Sequence, residues 1–92
     1  MLEIVINTCY GGFGLSEEAC KMIGLENRFE DIDRDDPRLV KAVRTLGEKA
    51  NGFCAELKIA EIPLEATDYF INEYDGMESI IYVMNGKLHF AY

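Results

Sequence analysis

Asn85-Gly86 restricts the fold of this 92-residue chain more than any other feature. A two-residue type I′ turn needs positive φ at both central positions, and Asn-Gly supplies it with little strain. The flanking segments, Ser79 to Met84 and Lys87 to Tyr92, alternate and are rich in β-branched and aromatic residues, so they read as the arms of a hairpin. Pairing across the turn sets Val83 opposite Leu88 and Ile81 opposite Phe90 on one face, with Tyr82 opposite His89 on the other. A face of Ile, Val, Leu and Phe calls for a covering layer. The apolar stripe Leu39, Val40, Val43, Leu46 and Ala50, spaced at three and four residues, is the expected cover.

That stripe predicts a helix with Asp36 as its cap, Pro37 in its first position and Asn51-Gly52 at its end. Upstream, Leu2 to Cys9 reads as a buried strand that stops at Tyr10-Gly11-Gly12-Phe13-Gly14. A short helix follows, capped by Ser16, with Glu17 and Glu18 at the positive end of its dipole and Gly24 as its stop. Leu15 and Cys20 occupy the positions of a hydrophobic staple. Glu26 to Arg38 reads as a charged surface loop. Phe53 to Ile62, stopped by Pro63, and Tyr69 to Tyr74, broken at Asp75-Gly76, read as further strands. The expected architecture is a single α+β domain over residues 1–92. It has two layers: a mainly antiparallel sheet of four to five strands, and two helices on one face.

Composition narrows the function classes. Hydrophobic residues make up 49% and charged residues 28%, the balance of a folded domain. Seventeen acidic against nine basic residues give a formal charge of −8, which argues against direct binding to a nucleic-acid backbone. The longest uncharged run, Ile4 to Ser16, is too short to span a bilayer, and Met1 runs into Leu2-Glu3-Ile4 without the basic segment of a secretory leader. Cys9, Cys20 and Cys54 are an odd set with no CxxC pair, as expected of reduced thiols in a cytoplasm. With His89 as the one histidine and no cysteine pair at ligand spacing, no metal is expected, and no cofactor either.

Four regions are candidates for chemistry. The corner Cys9, Tyr10, Gly11, Gly12, Phe13 follows a strand and precedes a helix. It lacks both the Gly-Lys-Ser/Thr of a P-loop and the third small residue of a dinucleotide fingerprint. It reads either as a tight turn whose aromatics pack on the core, or as a ligand or partner site with Tyr10 and Phe13 as stacking surfaces. Cys9, at a strand end near a helix start, is a candidate nucleophile, with His89 as the available base. Cys20 and Cys54 read as core positions. In Asp31-Ile32-Asp33-Arg34-Asp35-Asp36 the central Gly and closing Glu of a calcium loop are missing, so Asp36 is expected to cap a helix and Arg34 to pair with a neighbour. Tyr69, Phe70, Tyr74, Tyr82 and Tyr92 crowd the acidic C-terminal third, where no basic residue stands between Lys58 and Lys87; they read either as alternate residues lining the sheet or as a surface for a basic protein partner.

As a set, these residues resemble a family of small phage and prophage proteins. The similarity rests on Asn7-Thr8-Cys9-Tyr10-Gly11-Gly12-Phe13-Gly14-Leu15-Ser16, on Arg34-Asp35-Asp36-Pro37 with Leu39 and Val40, on Leu46-Gly47-Glu48, Ala50-Asn51-Gly52 and Ala55-Glu56-Leu57-Lys58-Ile59 running into Glu61-Ile62-Pro63, and on Glu73-Tyr74-Asp75-Gly76 with Glu78. The chain differs from that family in a shorter connection before Arg34 and in ending Lys87-Leu88-His89-Phe90-Ala91-Tyr92 where the relatives are basic and contain Trp.

The resemblance implies origin and no activity. A small phage protein without catalytic signature is expected to act in the infected bacterium's cytoplasm by binding. The first expectation is a non-enzymatic, anti-CRISPR-like counter-defence inhibitor that docks on a host immune protein. The second is a homo-oligomeric sponge for a small nucleotide signal, and the third a Cys9 enzyme. Cys9, Tyr10, Gly11, Gly12, Phe13, Arg34, Tyr74 and Asp75 are the candidate ligand- or partner-binding residues.

Overall fold

The computed structural model describes residues 1–27 and 31–92. It contains strand β1 (Leu2–Asn7), helix α1 (Glu17–Ile23), helix α2 (Pro37–Leu46), a 3-10 turn (Gly47–Ala50), and strands β2 (Leu57–Ile62), β3 (Asp68–Tyr74), β4 (Met77–Met84) and β5 (Lys87–Phe90). The fold is α+β. Its five strands are all antiparallel and divide between a β1–β2 sheet and a β3–β4–β5 sheet. Of the expected Glu26–Arg38 loop, residues 28–30 lie outside the described residues.

The pleat of β1 explains the layering. Val5, with Leu57 of β2, points into a core built from α1, α2 and the 3-10 turn: Leu15, Ala19, Cys20, Ile23, Leu39, Val40, Val43 and Ala50. Ile4 and Ile6, with Ala60 and Ile62, point the other way, onto Ile80, Ile71, Tyr69 and Tyr82 of the second sheet. Alternate residues of one strand therefore serve two cores. A strand buried on both sides reads as a continuous apolar run, and Leu-Glu-Ile-Val-Ile nearly does.

Both helices start where the sequence places them, and α1 also stops there. Ser16 accepts a hydrogen bond from the Ala19 N–H, Gly24 adopts the left-handed conformation at φ 96°, and Asp36 accepts from the Arg38 N–H ahead of Pro37. The α2 stripe is buried, but the α-helix ends at Leu46 because Gly47 turns to φ 58°, and the 3-10 turn carries Ala50 into the same core. The hairpin register is also as expected, with Ile81–Phe90, Tyr82–His89 and Val83–Leu88 paired. Asn85 and Gly86 have φ of 55° and 73°. Asp75-Gly76, expected only to break a strand, repeats that geometry at φ 53° and 88° and forms a second two-residue hairpin turn.

Three expectations are corrected. The helix stripe does not cover the Ile81, Val83, Leu88, Phe90 face. It packs on the β1–β2 sheet, and it is Ile80 and Tyr82, on the opposite face of β4, that meet the core. Phe53 to Glu56 is not strand: Cys54 takes φ 61° in a turn, and Phe53 and Cys54 are exposed, so Cys54 is not a core residue. Among the described residues Arg34 pairs with no loop neighbour. Its partner is Glu78 of β4.

Candidate functional site

The polar centre of the molecule forms where the end of β1, the Gly-rich corner and the β3–β4 turn converge. Asn7 is fully buried, which for an amide requires that every polar atom find a partner. Its Nδ2 donates to the carbonyls of Cys9 (2.6 Å) and Gly76 (2.7 Å), and its Oδ1 accepts from the Glu56 N–H (2.8 Å). Its backbone N–H donates to Glu78 Oε1 at 2.8 Å. One side chain thus joins β1, the start of β2, the corner and the distal hairpin.

Glu78 receives Arg34 as a fork, at 2.5 Å from Nη1 to Oε1 and 2.8 Å from Nη2 to Oε2. The pair is largely buried, with side-chain exposures of 23% for Arg34 and 7% for Glu78. The planar guanidinium can pair with a carboxylate and stack at once, and here it also lies 3.6 Å from the centroid of the Phe13 ring. The Arg34 backbone carbonyl accepts from the Val5 N–H at 2.8 Å. Val5 and Asn7 aim their N–H groups at the edge of β1 that has no strand beside it. Arg34 and Glu78 satisfy them there.

The corner is closed by the β3–β4 turn. The Gly11 N–H donates to the Asp75 carbonyl at 3.1 Å. The approach is backbone on backbone: a Cβ at Gly76 would overlap the Gly12 nitrogen and lie 2.8 Å from Gly11. Of the eight candidate residues, Gly11, Gly12, Phe13, Arg34 and Asp75 are therefore brought into one assembly. Tyr10 and Tyr74 flank it and are exposed, and Cys9 is half-buried beside it.

Cys9 and His89 are not brought together. Cys9 lies next to the β3–β4 turn, whereas His89 stacks on Tyr82 at 5.1 Å between ring centroids, five residues along β4 from Met77 or roughly 17 Å of strand. Cys9 instead shares an open groove with Cys54, Asn51 and Lys58. Sequence reasoning missed Asn7, Gly76 and Glu78 as members of the centre, although each falls inside a segment that carried the family resemblance. Their spacing could have been found only by docking Asp75-Gly76 as a hairpin turn.

Charges around the centre are paired locally. The Arg44 guanidinium bonds the Glu3 carboxylate and holds its pKa below the usual value; Arg38 does the same to Asp36. Burial, then the nearby Asp35 carboxylate, pushes the Tyr69 phenol above its ordinary pKa. Among the described residues no group of His, Cys, Asp and Glu side chains has the arrangement of a metal site. No helix among them is long and apolar enough to cross a membrane. Comparison of the chain with family models, curated proteins and solved structures gives no match.

Proposed function

We propose that this chain is a non-enzymatic binding protein of phage or prophage origin that docks on a basic host protein of bacterial defence, such as a nucleic-acid-guided nuclease, and blocks it. The observation that carries this reading is the Gly11 N–H···O Asp75 bond. It fuses two segments 64 positions apart into one end of the molecule, where Tyr10 and Tyr74 are exposed beside the exposed carboxylates of Glu73 and Asp75. Tyrosine gives contact area at low entropic cost, and one-signed charge around it steers and aligns a basic partner. Arg34, which lies at this end, is paired with Glu78 and stacked on Phe13, so it does not offset the acidic field. The phage origin rests on the resemblance of the corner and the Glu73-Tyr74-Asp75-Gly76 segment.

The test is capture of host proteins from bacteria carrying a defence system, followed by binding measurements on the captured partner. Binding should fall steeply with salt, and Tyr10→Ala and Tyr74→Ala should each weaken it about tenfold or more, the size of an interfacial aromatic hot spot. Capture of a small nucleotide with no protein, or binding indifferent to salt and to both substitutions, overturns the reading.

A further inference from the structure

We infer that the outer face of the β3–β4–β5 sheet is an interface for a second copy of this chain. The register places Phe70, Ile81 and Phe90 in one row across the three strands, Val83 beside Leu88 in the next, and Tyr74 beside Met77 at the turn end. All project from the side opposite Ile80 and Tyr82, which face the core. Among the described residues no element covers this side: Phe70 is 52% exposed, Leu88 66%, Tyr74 75% and Phe90 77%. With roughly 200 Å² for each such side chain, Phe70, Leu88 and Phe90 alone expose about 400 Å² of largely apolar surface, with Tyr74 left at the margin. That already lies within the roughly 300–600 Å² of the largest patch on a typical monomer. The half-buried Met77, Ile81 and Val83 bring the face toward the roughly 800 Å² that each partner buries in a standard interface.

Charge selects the occupant. In a chain of net charge −8, this face carries one carboxylate, Asp68, at its corner, while the alternation of the strands sends Glu73 and Glu78 to the other side. A basic protein would find only that one carboxylate to neutralise, and nucleic acid would find no cation. A second copy offers the same apolar rows. A two-fold axis along β4 lays β3 of each copy over β5 of the other, so that Phe70 meets Phe90 of the second copy and Ile81 meets its own counterpart. Sheets stack in this aligned way at about 10 Å, and such an isologous contact closes at two copies. The joined-turn ends remain at the margins of the dimer, which presents two of them.

Sedimentation velocity of the full chain, at low and high salt, tests this. The expected result is a species of twice the 10.4 kDa chain mass that salt leaves intact or strengthens. Phe90→Glu and, separately, Leu88→Lys should each give a monomer with an unchanged far-ultraviolet circular dichroism spectrum, since both side chains stand outside the cores. A wild-type chain that stays monomeric up to about millimolar concentration, where even a contact of ~4 kcal/mol would be half-formed, overturns the inference. So does a dimer that survives both substitutions. Because this association resists salt whereas partner docking is weakened by it, either reading can fail without the other.

Discussion

The backbone N–H of Asn7 donates to the carboxylate of Glu78, a residue 71 positions away, at 2.8 Å. The same Glu78 holds Arg34 in a two-point ion pair, so a single carboxylate fastens β4 to the edge of β1 and to the loop that covers it. Such a group is retained at a desolvation cost and becomes costly to break.

Glu78→Ala leaves the Asn7 N–H and most of the Arg34 guanidinium without acceptors. It should lower the free energy of unfolding by about 3 kcal/mol in denaturant titration. Glu78→Gln keeps one acceptor oxygen and should recover part of that loss. Equal losses for the two variants would mean that the carboxylate's charge, and not its hydrogen bonding, dominates.

Arg34→Lys keeps the charge and removes the fork and the flat surface over Phe13. A point-charge ammonium cannot span both Glu78 oxygens, so a stability loss of about 1–2 kcal/mol is expected. An unaltered unfolding midpoint would show that the planar geometry contributes nothing.

Gly76 and Gly86 occupy the second position of equivalent hairpin turns, at φ 88° and 73°. A Cβ on Gly86 meets open space, whereas one on Gly76 runs into the backbone of Gly11 and Gly12. Gly86→Ala should therefore cost about 1 kcal/mol, the strain of positive φ alone. Gly76→Ala should cost at least 2 kcal/mol more by overlap that moves the turn off the corner. Faster amide hydrogen exchange at Gly11 in Gly76→Ala, but not in Gly86→Ala, would register the separation.

Tyr69 makes stability depend on pH in the alkaline range. Its phenol is held above the ordinary value of 10.0 in the folded chain, first by burial and then by Asp35. Below pH 10 the phenol is neutral in both states and its contribution is complete. Above that, the unfolded chain releases the proton first, so stability falls until pH passes the raised native value. Thermal melts should thus show a midpoint that declines from about pH 10 upward, and Tyr69→Phe should flatten the decline.

Local chemistry was legible in the sequence wherever a residue acts on its neighbours. Ser16, Gly24, Asp36-Pro37 and Asn85-Gly86 act within four positions of themselves, and each does in the structure what its type requires. The Tyr82–His89 pairing followed from the turn for the same reason. What was not legible is which face meets which. Ile81, Val83, Leu88 and Phe90 make the more hydrophobic side of the hairpin, and by composition that side belongs inside. It is displaced because the opposite side carries Glu78, which has to reach Arg34 and Asn7, and a strand cannot turn Glu78 inward without turning Ile80 and Tyr82 inward with it. The same blindness hid Asn7, which reads as an ordinary strand end until Gly76 and Glu56 arrive beside it. Of the candidate residues, Gly11, Gly12, Phe13, Arg34 and Asp75 do converge, from segments whose proximity no periodicity encodes.

The distance along the chain between Asn7 and Glu78 also sets an order of events during synthesis. A ribosome adding about 5–20 residues per second makes Glu78 roughly 4–14 s after Asn7. Throughout that interval the nascent chain can assemble the helices on Val5, but Ile4 and Ile6 have no Ile80 to lie against and the free edge of β1 lacks its carboxylate. Strand β1 is thus made well before it is completed, and for those seconds its free edge is open to pairing with other exposed strands.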